Sequence, residues 1–426
     1  MLLAILTSLI AGWPAFAAFN EVATPGGELR PAYRDSAIFP VPETRADHLL
    51  AHPMDDSIRI LPIPLRISED EYRLLQEGSV QRARALMALF QDVMFDSARQ
   101  IKAARLFPKD YLEFLVLSST HANLKYMRAV WKTRRDKYVG VFVGSDLMRD
   151  ENGQWRAIED NAGSLGGLAD IAGTHVAMAK AGIGQALGEA PLVKQIASFL
   201  ADIPKERWAD EVVALVSSKS TDMPTEGTAP DDEESVRKAR ILNEMGIKMI
   251  EVGELKKDLK ALDPGVKMLV NFCDPMGLEL SSTVTAELMR GFSAGRYKFM
   301  VVPGVEFLGN KALLPVMDRL IRMYLGEEPK VPSQPTEWVT ELKDLDVNEP
   351  GWVYKRVTAN QGSGVFMPDQ LPAGNQKGFT AWMKDWEDWS LIAQGRHWPH
   401  FVRQKTIQGS YIPAELPDSW IRFNVA

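Results

Sequence analysis

The sequence predicts an α/β protein in which a parallel-sheet unit is joined to a smaller antiparallel unit, and three observations carry that prediction. From residue 211 onward, short apolar runs alternate with helical patterns: EVVALVSS, DDEESVRKARILNEMG closing on Gly246, IKMIEV, KMLVNF, TVTAELMRGF and KFMVVPG. Strands alternating with helices imply a parallel sheet covered on both faces. The second observation is Asn152-Gly153 between the runs YVGVFVGSD and WRAIEDN. Asn-Gly between two such runs is the strongest short-range hairpin signal, and it predicts a tight turn there. Third, beyond Lys330 the stretch VPSQPTEW reads as a linker into WVYKRV, GVFMP, HFVRQKTI and SWIRFNVA.

At 426 residues, 46% hydrophobic and 25% charged, the chain has room for two or three domains. A net charge of −7 argues against a broad nucleic-acid surface. The sole cysteine, Cys273, excludes an intrachain disulfide and fits a reducing compartment. Its context LVNFCDP suits a buried thiol better than a nucleophile.

Residues 1–18 are apolar and end in small residues (Ala15-Phe16-Ala17), like a secretory signal, but no Lys or Arg precedes Arg30. Gly12 and Pro14 also make the segment a poor membrane span. The expected location is cytoplasmic, with the segment a degenerate signal, the product of a wrongly assigned start, or an apolar helix docked on the protein.

Residues 20–65 are rich in Pro and turns and read as an extended cover on a core. Ser68 with Glu71 is a capping-box pattern that opens a helix, and a second helix is expected over 79–105. The hairpin follows, then helix over about 168–200. A polar loop at 217–232 interrupts the parallel unit, and FTAWMKDWEDWSLI predicts helix within the last unit. The expected division is 1–18, a core part at 19–205, the parallel α/β unit at 206–330 and the small antiparallel unit at 331–426.

Chemistry concentrates in a few places. Glu159 and Asn161 are two residues apart on one predicted strand and so share a face, and Asp146 ends the strand before the turn. An Asp, a Glu and an Asn amide oxygen at one end of a hairpin make a hard oxygen site of the kind Mg²⁺ prefers. A solvated acidic hairpin would read the same way in isolation.

Lys355 lies in WVYKRV, followed by the small loop that contains Gly362, Ser363 and Gly364, then GVF. Backbone N–H groups of such a loop can wrap phosphate oxygens while a lysine supplies countercharge. The loop is no P-loop, since GxxxxGK[ST] is absent, and a hairpin with a polar tip is the plain alternative. Lys311 is predicted to open a helix, whose first N–H groups favour an anion, unless it is simply a solvated helix-start lysine. Backbone groups around Arg403 to Lys405 could pair with an adenine edge while Phe401, Val402 and Ile407 pack its face; an ordinary amphipathic strand is the alternative.

Other motifs fail on context. Gly291-Phe292-Ser293-Ala294-Gly295 matches GxSxG, but a helix precedes it and a strand follows, the reverse of a nucleophile elbow. His48 and His52 lack a third ligand, and His397 and His400 read as surface or packing residues. Trp382, Trp386 and Trp389 have the spacing of a helix face and read as core.

Together these blocks resemble the circularly permuted ATP-grasp family, over most of the chain from Phe19. FNEVATPGGELRPAYRD and EGSVQRARALMALFQDV resemble its opening blocks, and GSDLMRDENGQWRAIEDN its most specific signature. NKALLPVMDRLIRMYLGEEPKVPSQPT, WVYKRVTANQGSGV and HFVRQKTIQGSYIP resemble its later helix, lysine strand and hinge. The metal block precedes the lysine strand, as permutation requires.

The resemblance implies a permuted ATP-grasp-like fold with ATP and Mg²⁺ as cofactors. Asp146, Glu159 and Asn161 would hold Mg²⁺, while Lys311 and Lys355 would meet the phosphates and the adenine side. Gly362, Ser363 and Gly364 would close over the triphosphate, Gln404 would lie at the adenine hinge, and Arg149 and Arg422 would steady an acyl phosphate. The implied reaction joins a small-molecule or peptide carboxylate to an amine through that acyl phosphate. AGSLGGL stands where relatives carry a Pro-Ser-Gly type turn, and relatives continue past the strand matching SWIRFNVA. A catalytically inactive, exported binding protein is therefore the alternative.

Overall fold

The computed structural model describes residues 50–51, 59–60, 67–95, 101–120, 124–133, 140–163, 174, 177–181, 211–216, 243, 246–255, 258–271, 278, 280–339, 351–357, 365–366, 401–407, 410–413 and 420–423. The 1–18 segment, the 217–232 loop, Cys273, the four histidines discussed above and the Trp382/Trp386/Trp389 stripe lie outside them. So does most of 168–200.

A two-strand ladder, β1 (Leu50–Ala51) with β2 (Arg59–Ile60), precedes α1 (Glu69–Phe95). The capping box forms as expected. Ser68 N–H donates to Glu71 Oε2 at 2.8 Å, and Glu71 N–H donates to Ser68 Oγ at 3.2 Å. The two helices expected here are one, because α1 runs through Gly78 and ends at Phe95. Gly78 marks a close approach rather than a break, since a Cβ there would lie 2.5 Å from Val331 Cγ2. The buried face of α1 carries Ala85, Leu86, Leu89, Phe90 and Val93, an apolar stripe at helical spacing.

Two shorter helices, α2 (Tyr111–Thr120) and α3 (Leu124–Lys132), lead to the antiparallel hairpin of β3 (Val143–Arg149) and β4 (Trp155–Ala162). The parallel sheet follows with β5 (Glu211–Val216), β6 (Lys248–Glu251), the one-turn α4 (Val252–Leu255), β7 (Lys267–Val270), α5 (Ser282–Ser293) and β8 (Tyr297–Phe299). Its order is β6-β5-β7-β8 with every pairing parallel, as the alternating pattern predicts. The GxSxG stretch is the end of α5 and the turn that leads to β8: Ser293 Oγ donates to the Val130 carbonyl at 2.7 Å, and Gly291 lies against the Tyr297 ring.

Two 3-10 turns, Glu306–Gly309 and Lys311–Val316, run into α6 (Met317–Leu325), which packs along α1 and ends on Gly326 in the left-handed conformation (φ 67°). The last unit holds β9 (Thr336–Val339), β10 (Trp352–Arg356), β11 (Val365–Phe366) and β12 (Phe401–Lys405). They form an antiparallel sheet in the order β11-β10-β12-β9. A separate ladder pairs β13 (Ser410–Pro413) with β14 (Trp420–Phe423).

One apolar cluster spans α1, α3, α5, α6 and the parallel sheet. Trp131 joins its halves, meeting Phe90 edge-on at 5.2 Å and Phe292 at 4.9 Å. Each such aromatic pair adds about 0.5–1.5 kcal/mol beyond area burial. The hairpin is thereby fixed between helix α1 on one side and the small sheet on the other. No described helix is long and apolar enough to cross a membrane.

Candidate functional site

The β3–β4 hairpin makes its expected tight turn at Asn152-Gly153, as a three-residue loop through Glu151-Asn152-Gly153. Asp150 and Gln154 close it by an N–H to carbonyl bond of 2.8 Å, and Gly153 takes φ 76°. Asp150 Oδ1 accepts from the Asn152 and Gln154 N–H groups at 3.0 and 2.9 Å, which favours the longer loop.

Further along, the register slips. Asp146 faces Glu159 while Leu147 faces Ala157, so Ile158 is left over as a β-bulge. A bulge re-aims the side chains around it. Trp155 and Ala157 are buried before it, and Asp160 and Ala162 after it, so the inward phase changes from odd to even residues. Glu159 and Asn161 consequently face outward beside Asp146. Asn161 Nδ2 donates to Asp146 Oδ1 at 3.2 Å.

The bulge also frees the Ile158 carbonyl, which accepts from Lys355 Nζ on β10 and from Gln404 Nε2 on β12, each at 3.2 Å. Gln404 Nε2 also donates to Thr336 Oγ1 at 3.0 Å. One backbone oxygen thus anchors the hairpin to two strands of the small sheet. A second link lies just before the bulge, where Ala157 N–H donates to the Pro332 carbonyl and Gln334 N–H to the Ala157 carbonyl, at 3.0 and 2.9 Å.

Lys311 arrives from another direction. A Cβ at Gly309 would lie 2.9 Å from the Ala162 carbonyl oxygen, so only glycine allows the turn to press against β4. Two residues on, Lys311 Nζ donates to Glu159 Oε1 at 2.6 Å. Lys311 opens a helix as expected, a 3-10 turn capped by Asn310, but the first N–H groups of that turn are engaged within the protein. Lys311 N–H donates to the Val357 carbonyl, Ala312 N–H to Asn310 Oδ1 and Leu313 N–H to the Asn310 carbonyl. With these donors engaged, the ammonium is what Lys311 offers the site.

Two carboxylates, an amide and two ammoniums therefore meet between the hairpin and the small sheet. Burial, with Glu159 opposite, pushes the Asp146 carboxyl above its ordinary range, while Lys355 and Lys311 pull it back. Burial lowers the Lys355 ammonium from 10.5 to about 8; Lys311 adds to that, and Glu159 and Asp146 oppose it.

Among the described residues no three His, Cys, Asp or Glu side chains gather at one point. A divalent cation here would rest on Asp146, Glu159 and the Asn161 amide oxygen. All three are hard oxygen donors, and two are direct cross-strand partners, a set that fits Mg²⁺ with water and phosphate completing its shell.

Arg149 lies on the other face of the hairpin from this group. It pairs across the hairpin with Trp155, on the face that packs Leu147, Ala157 and Val331. Its guanidinium lies 4.4 Å over the Trp155 ring and donates to Glu71 Oε1 at 2.6 Å. Although burial raises the Glu71 carboxyl, hydrogen bonds from Ser68 and Arg149 outweigh it and hold Glu71 below its ordinary range. The backbone of Arg422 lies in β14 opposite Tyr411, and its side chain is outside the described residues. Gly362, Ser363 and Gly364 are outside them as well, although the strands flanking their loop pair antiparallel, Lys355 opposite Val365.

A family model described as circularly permuted ATP-grasp type 2 matches residues 64–225 and 267–408. The chain belongs to that family. The permuted ATP-grasp match covers the hairpin, both lysines and β12, the parts that meet in space. A Frankia alni protein named as a candidate glutamate–cysteine ligase (2-3) is 25% identical over 79% of this chain and 40% of its own length. An uncharacterized Synechocystis protein is 24% identical over 65% of this chain and 58% of its own length. The chain spans about half the length of these curated relatives.

Sequence reasoning passed over Arg82 and Asp160, which sit directly behind the cluster. Arg82 Nε and Nη2 donate to Asp160 Oδ1 and Oδ2 at 2.7 and 2.5 Å, and Ser145 Oγ donates to Asp160 Oδ1 at 2.7 Å. A signal existed: Arg82 occupies the apolar stripe of α1, three, four and seven residues before Ala85, Leu86 and Leu89. A charge on a buried stripe demands a partner.

Proposed function

We propose that the cleft between the hairpin and the small sheet binds ATP with Mg²⁺, and that the protein joins a carboxylate to an amine. The observation that carries this reading is the convergence of Lys311 and Lys355 on Asp146 and Glu159, with Lys311 and Glu159 alone 152 residues apart in the chain. Ammoniums beside carboxylates, on a face with an Asn amide, suit a metal-complexed polyphosphate better than either ion alone.

In this reading Asp146, Glu159 and Asn161 hold the metal ion, which when bound neutralises and orients the phosphate oxygens. Lys311 turns from Glu159 to a phosphate oxygen, and Lys355 supplies a second ammonium from the sheet. Gln404 stands at the adenine edge with the backbone of Arg403 to Lys405, and Gly362, Ser363 and Gly364 cover the triphosphate. Phosphoryl transfer asks mainly for positioning and charge stabilisation, which these residues provide.

The substrate carboxylate oxygen attacks the γ-phosphorus, the bridging P–O bond breaks, and ADP leaves. An amine then attacks the acyl phosphate carbon, phosphate departs, and the amine proton is lost as the amide forms. Arg422 remains a candidate for the acyl phosphate. Arg149 serves instead to tie the hairpin to Glu71. The name of the Frankia relative supports an amino-acid carboxylate as substrate class.

The experiment is a thermal-melting series with ATP and Mg²⁺, followed by ADP release with pools of amino acids. A rise in melting temperature that needs both ATP and Mg²⁺, and amine-dependent ADP release, are expected. The absence of both responses would overturn the reading.

A further inference from the structure

We propose that Arg82 and Asp160 are positioning residues that hold the metal-binding face of the hairpin in register. The proposal rests on the nucleotide-site reading above and assigns a role to groups that touch neither metal nor nucleotide in it.

Arg82 is fully buried and Asp160 nearly so. Their bidentate pairing uses the rigid guanidinium fork, which a lysine cannot reproduce. The remaining nitrogen, Nη1, donates to Ser333 Oγ at 3.1 Å and to the Val331 carbonyl at 3.3 Å, and lies 3.8 Å from Asp318 Oδ1. Buried ion pairs are weak devices for stability, because apolar replacements of similar volume are often as good or better. Their strength lies in fixing geometry, and here the geometry fixed is that of the candidate ligands.

Asp160 lies between Glu159 and Asn161, and Ser145, its cross-strand partner, precedes Asp146. Asp160 and Ser145, the hairpin members of the buried network, are therefore each bonded in sequence to a candidate ligand on the opposite face. Through Val331 and Ser333, Arg82 also holds the segment that hydrogen-bonds Ala157, on the near side of the bulge. It thus grips β4 on both sides of Ile158, the residue whose displacement turns Glu159 outward.

Three full-length variants test this: Arg82→Lys, Asp160→Asn and Ser145→Ala. Mg²⁺ is titrated at saturating adenosine 5′-(β,γ-imido)triphosphate, with melting temperature as readout, and the analogue is then titrated at saturating Mg²⁺. For Arg82→Lys and Asp160→Asn, the Mg²⁺ midpoint is expected to rise roughly tenfold to hundredfold, the usual cost of removing a partner behind a metal ligand. The analogue midpoint at saturating Mg²⁺ should move far less. Ser145→Ala removes one hydrogen bond from Asp160, should shift the Mg²⁺ midpoint the same way by less, and decides the matter if either other variant fails to fold. Variants that melt lower without ligand yet keep the wild-type Mg²⁺ midpoint overturn the positioning role alone. A wild type with no Mg²⁺-dependent response overturns the nucleotide-site reading and this proposal with it.

Discussion

Replacing Lys355 with methionine removes an ammonium that the folded chain holds at a cost. Burial, aided by the Lys311 charge, lowers this group from its ordinary 10.5 to about 8. Below pH 8 the folded protein carries a charge it would rather lose, while the unfolded chain keeps its proton up to about pH 10.5. The unfolded state therefore binds more protons between those values, and stability rises with pH across that window. At 1.36 kcal/mol per pH unit the gap is worth about 3 kcal/mol. Methionine has a similar volume and no charge, and the Ile158 carbonyl keeps its hydrogen bond from Gln404. Without nucleotide at pH 7, Lys355→Met should be more stable than wild type by up to about 3 kcal/mol. That advantage should shrink to nothing by pH 10.5. Urea unfolding of both proteins across pH 7–10.5 measures the difference, which cancels the groups that Lys355 does not touch. The same variant should lose the ATP-dependent rise in melting temperature. Parallel stability curves for the two proteins would refute the buried-ammonium argument.

Glu159→Gln should abolish ADP release and, by removing the carboxylate charge that the buried Lys311 ammonium meets at 2.6 Å, lower stability by roughly 3 kcal/mol; calorimetry and a coupled ADP assay check both. Arg149→Gln should cost about 1–2 kcal/mol of stability through the lost Glu71 bond, measured by urea unfolding, while ADP release at 25 °C stays within about twofold of wild type. A large loss of turnover in a folded Arg149→Gln protein would restore the catalytic role that its position argues against. Gly78→Ala should destabilise by about 1–3 kcal/mol, because its Cβ would sit 2.5 Å from Val331 Cγ2, and Val331→Ala in the same chain should recover part of that loss.

What was legible in the chain was whatever local rules express. The parallel unit shows because βα alternation is a repeating local pattern, and the capping box at Ser68 and Glu71 because its partners are three residues apart. Hairpin strands β3 and β4 were readable from alternation around Asn-Gly. The turn length was not, because Asp150 side-chain bonds favour the three-residue loop. Helix α1 was misread as two, since a glycine in a helix looks like a stop until the chain pressed against it is known. Arg149 was expected at the site from the family resemblance, and strand geometry places it on the other face of the hairpin.

By itself, the sequence determined the βα alternation of the parallel unit, the capping box and the hairpin strands, and which residues are chemically able to hold a metal ion or a phosphate. Side-chain type and short-range spacing are properties of the chain alone. Only the tertiary structure decided that Lys311 meets Glu159, that Lys355 and Gln404 share the Ile158 carbonyl, and that Arg82 stands behind Asp160. Those contacts depend on a one-residue bulge and on the docking of segments far apart in the chain, and long-range packing leaves no periodic mark in the letters.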